Sequence, residues 1–438
     1  MQNIIDTNAW FIACPDCDLL VHKVAPSQGH KATCPRCGRI LLRYCRETIA
    51  RSLALAYTGL FLYFPAVFLP LLTFQKLGMS ESGTILQTIL KFIHQEYYIV
   101  AIVVFLAAVV FPFIKLSFLA TVSTCLALRK HPFFLGRLFR AHCFLDEWAM
   151  LEVYLLGISI TVVKMHHSTE ISFNLGFYCF AALVLVTLAA SLTICRESFW
   201  ALIESRGQSG QQFPLSPPTI RLSSGDTAAS HNLVLCRECG KLIPSLPDNI
   251  DDEHFCDRCG ARLHLRKPAS ISRTWAFIAT AAILIFPANL LPMMHVEFMG
   301  IPSKSTILDG IRQFFQDGSY IIAMIILAAS ILIPLFKIVG LAIVLLTVSL
   351  KRRRFLRHKT IMYRFIEFIG RWSMLDIFVI ALLGFFINFG FLTTVETAPA
   401  ATYFCLVVIS TMLATLTFDP RLMWDMESHE RPGQNRGE

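Results

Sequence analysis

Long apolar runs alternate with short basic or polar segments along most of this 438-residue sequence. A helix of about 20 apolar residues is long enough to cross a lipid bilayer. The pattern therefore predicts an integral membrane protein with four helical spans in each half of the chain. The predicted spans cover residues 50–72, 97–128, 148–165, 177–194, 274–293, 319–349, 372–393 and 399–418.

Residues 73–95, between the first two apolar runs, are mixed in polarity. Ile85, Ile89 and Ile93 recur there at helical spacing, accompanied by Leu86 and Leu90. We therefore predict an amphipathic helix in this segment, lying on the membrane face or against a partner.

The chain is an internal duplication. Four cysteines near the amino terminus recur 222 residues later, and the membrane sequence that follows them recurs at nearly the same offset. Lys115 returns as Lys337, and after a two-residue shift Glu152 returns as Asp376. Each half therefore carries one cysteine-bearing segment and one set of membrane spans.

The predicted fold class is an all-α integral membrane protein made of two tandem modules. Each module is a small four-cysteine ribbon followed by a four-helix transmembrane bundle. A stretch rich in Ser, Pro, Gly and Gln joins the two halves, as is typical of a flexible linker. The predicted boundaries are ribbon 1 at 1–49, membrane module 1 at 50–202, the linker at 203–232, ribbon 2 at 233–270, membrane module 2 at 271–420 and a disordered tail at 421–438.

Composition agrees with a membrane protein and argues against a nucleic-acid partner. The chain is 55% hydrophobic and 16% charged, whereas a soluble domain carries about 25% charged residues. The net charge of +9 comes mostly from Lys and Arg beside apolar runs, where positive charge orients a membrane protein. We therefore expect a membrane environment and no nucleic-acid binding.

The distribution of basic residues predicts the orientation. Segments 43–51, 129–140, 196–206, 262–273 and 351–371 are rich in Lys and Arg, and the alternate segments 73–95, 166–173, 295–317 and 394–398 are poor in them. The positive-inside rule then places both ribbons, the linker and both termini in the cytoplasm. With four spans in each copy, the two modules are predicted to be parallel in the membrane.

Each predicted ribbon has two Cys-x-x-Cys pairs separated by sixteen residues, a spacing that suits one tetrahedral zinc ion. No signal peptide precedes the first pair, so we expect reduced thiols and one zinc ion per ribbon, most simply in a structural role. Iron in a rubredoxin-like site and a redox or metal-sensing role remain open. The other six cysteines are scattered singly and predict no disulfide framework. The eight predicted ligands are Cys14, Cys17, Cys34, Cys37, Cys236, Cys239, Cys256 and Cys259.

Ionisable residues inside predicted spans are costly and often mark a substrate or ion path. Lys337 and Asp376 each lie about 25 Å from the outer end of their span, on helices that run in opposite directions. Ser330 and Ser373 share a helical face with Lys337 and Asp376, respectively. We therefore predict one polar cavity in module 2. In the alternative, Lys337 extends to the inner headgroups and Asp376 only begins its helix.

Module 1 keeps Lys115 and Glu152 but has Ala108 and Ala149 where module 2 has the two serines. It adds Lys164 near the outer end of its third predicted span. This asymmetry suggests specialisation after duplication, with the richer polar site in module 2.

The whole pattern resembles the paraquat-inducible protein A family of bacterial inner-membrane proteins, over roughly residues 10–420. The resemblance rests on both ribbons, on Phe-Pro-Ala-x-x-Leu-Pro at 64–70 and 286–292, on both Pro-x-x-Lys elements and on Trp372-Ser-Met-Leu-Asp376. It implies a periplasmic partner built of MCE domains that forms a tunnel, and the movement of lipids between the two membranes.

By this resemblance Ser330, Lys337, Ser373 and Asp376 line a lipid-binding pocket, and Lys164 matches a corresponding position in module 1. We therefore interpret the chain as a lipid transport subunit that loads or extracts phospholipid and is not an enzyme. No nucleotide-binding Gly-x-x-x-x-Gly-Lys-Ser/Thr loop is present, and Asp376 is a candidate for coupling to the proton gradient. Two alternatives stay open: a non-transporting anchor for the partner, and a redox-linked membrane protein.

Overall fold

The structure is a computed structural model that describes residues 11–24, 26–45, 48–76, 79–130, 132–165, 170–207, 225–244, 254–298, 301–316, 318, 320–351, 354–386 and 393–428. Ribbon 1 contains the short strands β1 (Phe11–Ala13), β2 (Leu20–His22), β3 (Lys31–Thr33) and β4 (Ile40–Arg43). Module 1 contains α1 (Thr48–Phe68), β5 (Leu72–Lys76), β6 (Met79–Gly83), α2 (Ile85–His94), α3 (Tyr98–Phe105), α4 (Phe111–Ala127), α5 (Leu135–Leu145), α6 (Leu151–Met165), β7 (Glu170–Phe173), α7 (Leu175–Thr193) and α8 (Arg196–Gly207).

The second repeat follows the same order. Ribbon 2 contains β8 (Leu233–Leu235) and β9 (Leu242–Pro244). Module 2 contains α9 (Ser270–Leu290), β10 (Met294–Phe298), β11 (Ile301–Ser305), α10 (Ile307–Gln316), α11 (Tyr320–Leu327), α12 (Ile333–Ser349), α13 (Leu356–Ile369), α14 (Leu375–Phe386), β12 (Thr393–Thr397), α15 (Pro399–Thr417) and α16 (Leu422–Ser428).

Within the described residues, six helical segments are long and apolar enough to cross a membrane, which confirms a helical membrane protein. The third predicted span of each module is shorter. Helix α6 has 15 residues and α14 has 12 described residues, fewer than the roughly 20 that a bilayer needs. The prediction of eight spans is therefore not confirmed. The six segments are Thr48–Phe68, Tyr98–Ala127, Leu175–Thr193, Ser270–Leu290, Ala323–Ser349 and Pro399–Thr417.

The second span of each module contains a π-helical turn just before a proline. Leu106–Val110 precedes Pro112, and Ala328–Leu332 precedes Pro334. Proline has no backbone N–H and clashes with the preceding turn, and the wider π-turn accommodates it without ending the helix. Such turns are frequent at functional sites, and Ser330 lies on the second one.

The amphipathic helix predicted within residues 73–95 is confirmed as Ile85–His94, and the residues before it form strands that we did not predict. Strands β5 and β6 form an antiparallel hairpin, β7 pairs with the other edge of β5, and only Ile85–His94 is helical. Thr84 begins α2 with a capping box, in which its side chain accepts from the Gln87 backbone. The sheet was missed because it pairs strands about a hundred residues apart, which local periodicity cannot reveal. Module 2 repeats the arrangement with β11, β10 and β12.

Each ribbon packs on the membrane module of the other repeat. The Arg364 side chain of α13 donates to Asp16 of ribbon 1 at 2.6 Å. Conversely, Glu204 of α8 forms an ion pair with Arg258 of ribbon 2. The ribbon 1 cysteines share a core with Ile338, Leu341, Tyr363 and Trp424, whereas the ribbon 2 cysteines share one with Val122, Phe139, Phe199 and Trp200.

The two modules meet through equivalent residues. Tyr154 of α6 and Phe378 of α14 occupy matching positions in the repeats, and their rings contact each other with centroids 5.2 Å apart. A Cβ atom on Gly157 would lie 3.3 Å from Cβ of Phe378, so the two helices approach closely. Contacts between equivalent positions are typical of a two-fold relation.

Parts of the predicted linker and tail are ordered, which corrects both predictions. The predicted linker includes the end of α8, and residue Thr227 forms a bridge with Leu19 of ribbon 1. In the predicted disordered tail, α16 buries Met423 and Trp424. The remaining linker residues 208–224 and tail residues 429–438 lie outside the described residues.

Two of the cysteines that we had taken as single form a pair. Cys45, just before α1, forms a disulfide with Cys195, just after α7, and their Cα atoms are 6.4 Å apart. The matching residues in module 2 are Lys267 and Asp419, where the Lys267 backbone donates to the Asp419 carboxylate at 3.2 Å. Both modules thus join the ribbon-side ends of their first and last spans, one covalently and one by polar contacts.

Candidate functional site: two four-cysteine clusters and two unequal polar sites

All eight predicted metal ligands are buried and gathered into two clusters. In ribbon 1 the Sγ atoms of Cys14 and Cys37 are 3.4 Å apart, and those of Cys17 and Cys34 are 3.5 Å apart. The two corresponding separations in ribbon 2 are both 3.6 Å. A tetrahedral zinc with Zn–S bonds of about 2.3 Å would separate its sulfurs by about 3.8 Å. Each cluster therefore fits a single ion after a small adjustment.

Tight turns position the thiols. Gly38, Gly240 and Gly260 have φ of +73°, +74° and +65°, and the backbone N–H of each donates to the carbonyl of the first cysteine in its pair. Glycine adopts this left-handed conformation without steric cost. The fourth turn places Asp18 at φ +60° instead.

A residue from the other repeat supports ribbon 1. Arg364 of α13 donates through Nη2 to Sγ of Cys37 at 3.0 Å while its Nε donates to Asp16. A cation at this distance stabilises thiolate, the form that binds metal. The metal cluster of ribbon 1 is thereby linked to module 2.

The polar site of module 2 centres on Lys337. Its side chain is fully buried, and Nζ donates to Oγ of Ser373 at 3.4 Å. Burial within the protein does not fit the alternative in which this lysine extends to the headgroups. Ser330 is also buried and donates to the carbonyl of Ile326 at 2.7 Å.

No carboxylate of the described residues lies within ion-pair distance of Lys337. Asp376 is in the first turn of α14, and its side chain lies outside the described residues. Among the described residues, the arrangement is thus a buried lysine beside the Ser373 hydroxyl.

The polar site of module 1 is built differently. Lys115 pairs with Asp146, with Nζ 2.7 Å from Oδ1, and Nζ also donates to Ser191 at 3.4 Å. Arg196 lies 3.5 Å from the second oxygen of Asp146. Nδ1 of His142 lies 3.0 Å from the Lys115 carbonyl. Burial and the nearby Lys115 ammonium lower the pKa of His142 to about 4, so this imidazole is neutral at pH 7.

Two other predicted residues of module 1 take no part in that ion pair. Glu152 lines a small enclosed space together with Lys115, Pro112 and Thr187. Lys164 is in the last turn of α6, and its side chain lies outside the described residues. The membership of both residues in a lipid or ion pathway stays a prediction.

Sequence reasoning missed the counter-ion. Asp146 follows the last residue of α5, outside the apolar runs in which we looked for intramembrane charges. Its signal was present, because Asp146 and Glu147 are the only acidic residues between Lys115 and Trp148. A search for acids between the basic segment 129–140 and the third predicted span would have found them.

A cavity of about 440 Å³ lies between the two ribbons and module 1. Its walls include His142, Asp146 and Ser191 of the Lys115 network, together with Arg43 and Arg237 from the ribbons. The Lys115 network therefore borders a space on the ribbon side of the molecule.

These features define a class: a duplicated helical membrane protein with two four-cysteine clusters and one polar site in each half. The family model described as paraquat-inducible protein A matches residues 49–204 and 271–427. The chain belongs to this family, which confirms the resemblance that we inferred from the sequence.

Curated relatives cover nearly the whole chain. It is 30% identical to the intermembrane transport protein PqiA of Escherichia coli K12, over 95% of this chain and 96% of the relative. It is 32% identical to the lipophilic envelope-spanning tunnel protein A of the same organism, over 95% and 91%. It is 26% identical to a probable intermembrane transport protein of Haemophilus influenzae, over 96% and 97%. No solved structure matches the chain.

Proposed function

We propose that this protein is the inner-membrane subunit of an intermembrane lipid transport system. It loads phospholipid into, or extracts it from, a tunnel formed by a periplasmic partner built of MCE domains. The names of the relatives, an intermembrane transport protein and an envelope-spanning tunnel protein, support transport between membranes. The observation that carries the proposal is Lys337, a fully buried lysine next to a serine hydroxyl in a membrane module.

The chemistry of this site suits a phosphate diester. An ammonium binds a phosphate oxygen by a charge-assisted hydrogen bond, stronger than a neutral one, and the Ser373 hydroxyl is an additional donor. The acyl chains remain in the bilayer beside the apolar helices. A buried charge without a partner costs several kcal/mol, and an anionic headgroup would offset part of that cost.

Both ribbons lie at the cytoplasmic end in this proposal, together with both termini, because the basic segments lie beside them. Each ribbon would hold one zinc ion through its four cysteine thiolates. Zinc in a closed four-sulfur site has no open position for a substrate, so it would crosslink the ribbon. Each ribbon would in turn hold the ribbon-side helices of the other repeat's module.

Asp376 is the proposed point of proton coupling. Burial favours the neutral form of a carboxylate, so a carboxyl group near the headgroup site can take up and release a proton during transport. We expect that collapsing the proton gradient and replacing Asp376 by Asn both slow lipid movement.

The test of the proposal compares Lys337→Met with the wild type. Phospholipid retained by the purified full-length chain is quantified by mass spectrometry per mole of protein, and capture of the periplasmic partner is measured in parallel. We expect Lys337→Met to lose bound phospholipid while still capturing the partner. Unchanged phospholipid with unchanged partner capture would instead favour a non-transporting anchor. A colourless preparation that contains zinc would exclude the alternative of a redox-linked protein with haem or iron.

A further inference from the structure

The two equivalent lysines have opposite surroundings. In module 1, Lys115 is neutralised by Asp146 at 2.7 Å. In module 2, Lys337 has a serine hydroxyl at 3.4 Å and no carboxylate partner among the described residues.

The two modules differ at the residue that ends the helix before each third apolar run. Asp146 is the C-cap residue of α5, with φ −59° and ψ −27°. Gly370 is the C-cap residue of α13, with φ −49° and ψ −41°. Because both residues adopt the same backbone conformation at the same point of the repeat, a side chain on Gly370 would start from the position that Asp146 occupies.

The rest of the network changes together with this position. The cation Arg196, which lies beside Asp146 in module 1, is matched in module 2 by Pro420, and His142 is matched by Ile366. Ser191 is matched by Thr415, which keeps the hydroxyl group. Conversely, Ala149 of module 1 is matched in module 2 by Ser373, whose hydroxyl contacts Lys337.

We propose that Gly370 is the specificity-determining position of the site. The lack of a carboxylate there leaves the Lys337 ammonium available to the phosphate diester of a lipid headgroup, whereas Asp146 occupies the equivalent ammonium in module 1. The inference rests on the proposed function and goes beyond it, because it restricts headgroup binding to one module and names the residue responsible.

The backbone at Gly370 can accept a side chain, which allows a direct test. A Cβ atom on Gly370 would meet no atom of the described residues within 4 Å, and φ is negative. Gly370→Asp therefore installs the counter-ion of module 1 without removing any group from the site. Gly370→Asn is the matched control, because it has nearly the same volume and no charge.

The readout is photocrosslinking to phospholipid. Cells that express the full-length chain are grown in [³²P]phosphate with p-benzoylphenylalanine at Trp372, which adjoins Ser373 and is 40% exposed. Trp148 is the equivalent position in module 1. Benzophenone reacts with C–H bonds, which free phosphate lacks, so radiolabel on the protein reports lipid. Zinc content and elution volume check the fold of each variant.

We expect Gly370→Asp to lower labelling at 372 by roughly tenfold or more, because a fixed carboxylate competes with the headgroup for Lys337. Gly370→Asn should stay within about twofold of the wild type. Equal labelling of the two variants, whether retained or lost, would overturn the inference. Absence of label in the wild type would overturn the proposed function itself.

A reciprocal variant covers the case in which Gly370→Asp does not fold. Asp146→Gly combined with Ala149→Ser gives module 1 the two key residues of module 2. Labelling at Trp148 should then rise by at least about threefold. No rise in a folded variant that still contains two zinc ions would overturn the inference.

Discussion

The two membrane modules have the same helices in the same order, but different groups surround the buried lysine in each. Module 1 pairs Lys115 with Asp146 and surrounds the pair with Ser191 and Arg196. Module 2 leaves Lys337 with the Ser373 hydroxyl among its described neighbours. Ionisable residues inside a membrane segment often mark a substrate or ion path. In the proposed function, the module 2 copy with its hydroxyl neighbour is therefore the one that binds a ligand.

The ribbons also distinguish the two modules, because each ribbon packs against the module of the other repeat. We therefore expect Cys17→Ser to remove one of two zinc ions and to loosen module 2, and Cys239→Ser to loosen module 1. Structural zinc contributes about 10–16 kcal/mol of apparent binding free energy in isolated zinc fingers, so this is the largest expected effect. Elemental analysis gives the metal content, and hydrogen exchange at α13 and α5 tells the modules apart. Loosening of the module that follows each altered ribbon in the chain would contradict the crossed arrangement.

The second prediction concerns the counter-ion. Asp146→Ala leaves Lys115 buried and unpaired, and should lower the free energy of unfolding by about 3–5 kcal/mol. Gly370→Ala at the equivalent position should change it by less than about 1 kcal/mol. Thermal unfolding in detergent measures both. The double variant Asp146→Ala with Lys115→Met should recover most of the loss, and a double variant as unstable as Asp146→Ala alone would count against the ion pair.

The third prediction concerns the Cys45–Cys195 disulfide, which closes a sequence separation of 150 residues. Reduction should destabilise module 1 by about 2–4 kcal/mol. Lys267 and Asp419 occupy the equivalent positions in module 2. Burial alone would raise the pKa of the Asp419 carboxyl, but the nearby Arg421 and Arg237 lower that pKa to about 2. A reductant should therefore lower the unfolding temperature of the wild type. The double variant Cys45→Ser with Cys195→Ser is the control, since it retains both metal clusters, and an equal response of the two proteins would exclude the disulfide as the cause.

The smallest expected effect tests the contact between α13 and ribbon 1. Arg364→Gln removes the cation that lies 3.0 Å from Sγ of Cys37, and should weaken zinc binding in ribbon 1 by about tenfold. Arg140→Gln changes the equivalent residue of the other repeat. Competition with a chromogenic chelator measures zinc release from each variant. Identical release from Arg364→Gln and from the wild type would show that this contact does not tune the metal site.

Local patterns predicted the features that depend on spacing along the chain. The Cys-x-x-Cys pairs, the offset of 222 residues and the apolar runs are such patterns, and the structure contains two four-cysteine clusters and six long apolar helices. The capping box at Thr84 likewise lies at the start of a helix. These signals are sufficient because each is encoded within a few consecutive turns of chain.

The features that were missed depend on contacts between distant segments. The three-stranded sheets pair β5 with β7 and β10 with β12 across most of a module, and the crossing of the ribbons joins opposite halves of the chain. Asp146 was overlooked because it lies outside the predicted spans and contacts Lys115 only through the packing of α5 on α4. Periodicity carries no information about any of these pairings.

The most direct test of the account is a density map of the full-length protein in a phospholipid nanodisc. We predict a lipid headgroup in contact with Lys337 and Ser373, and none at Lys115, whose ammonium contacts Asp146 instead. A headgroup at Lys115, or solid side-chain packing around Lys337 in a preparation that retains phospholipid, would contradict it.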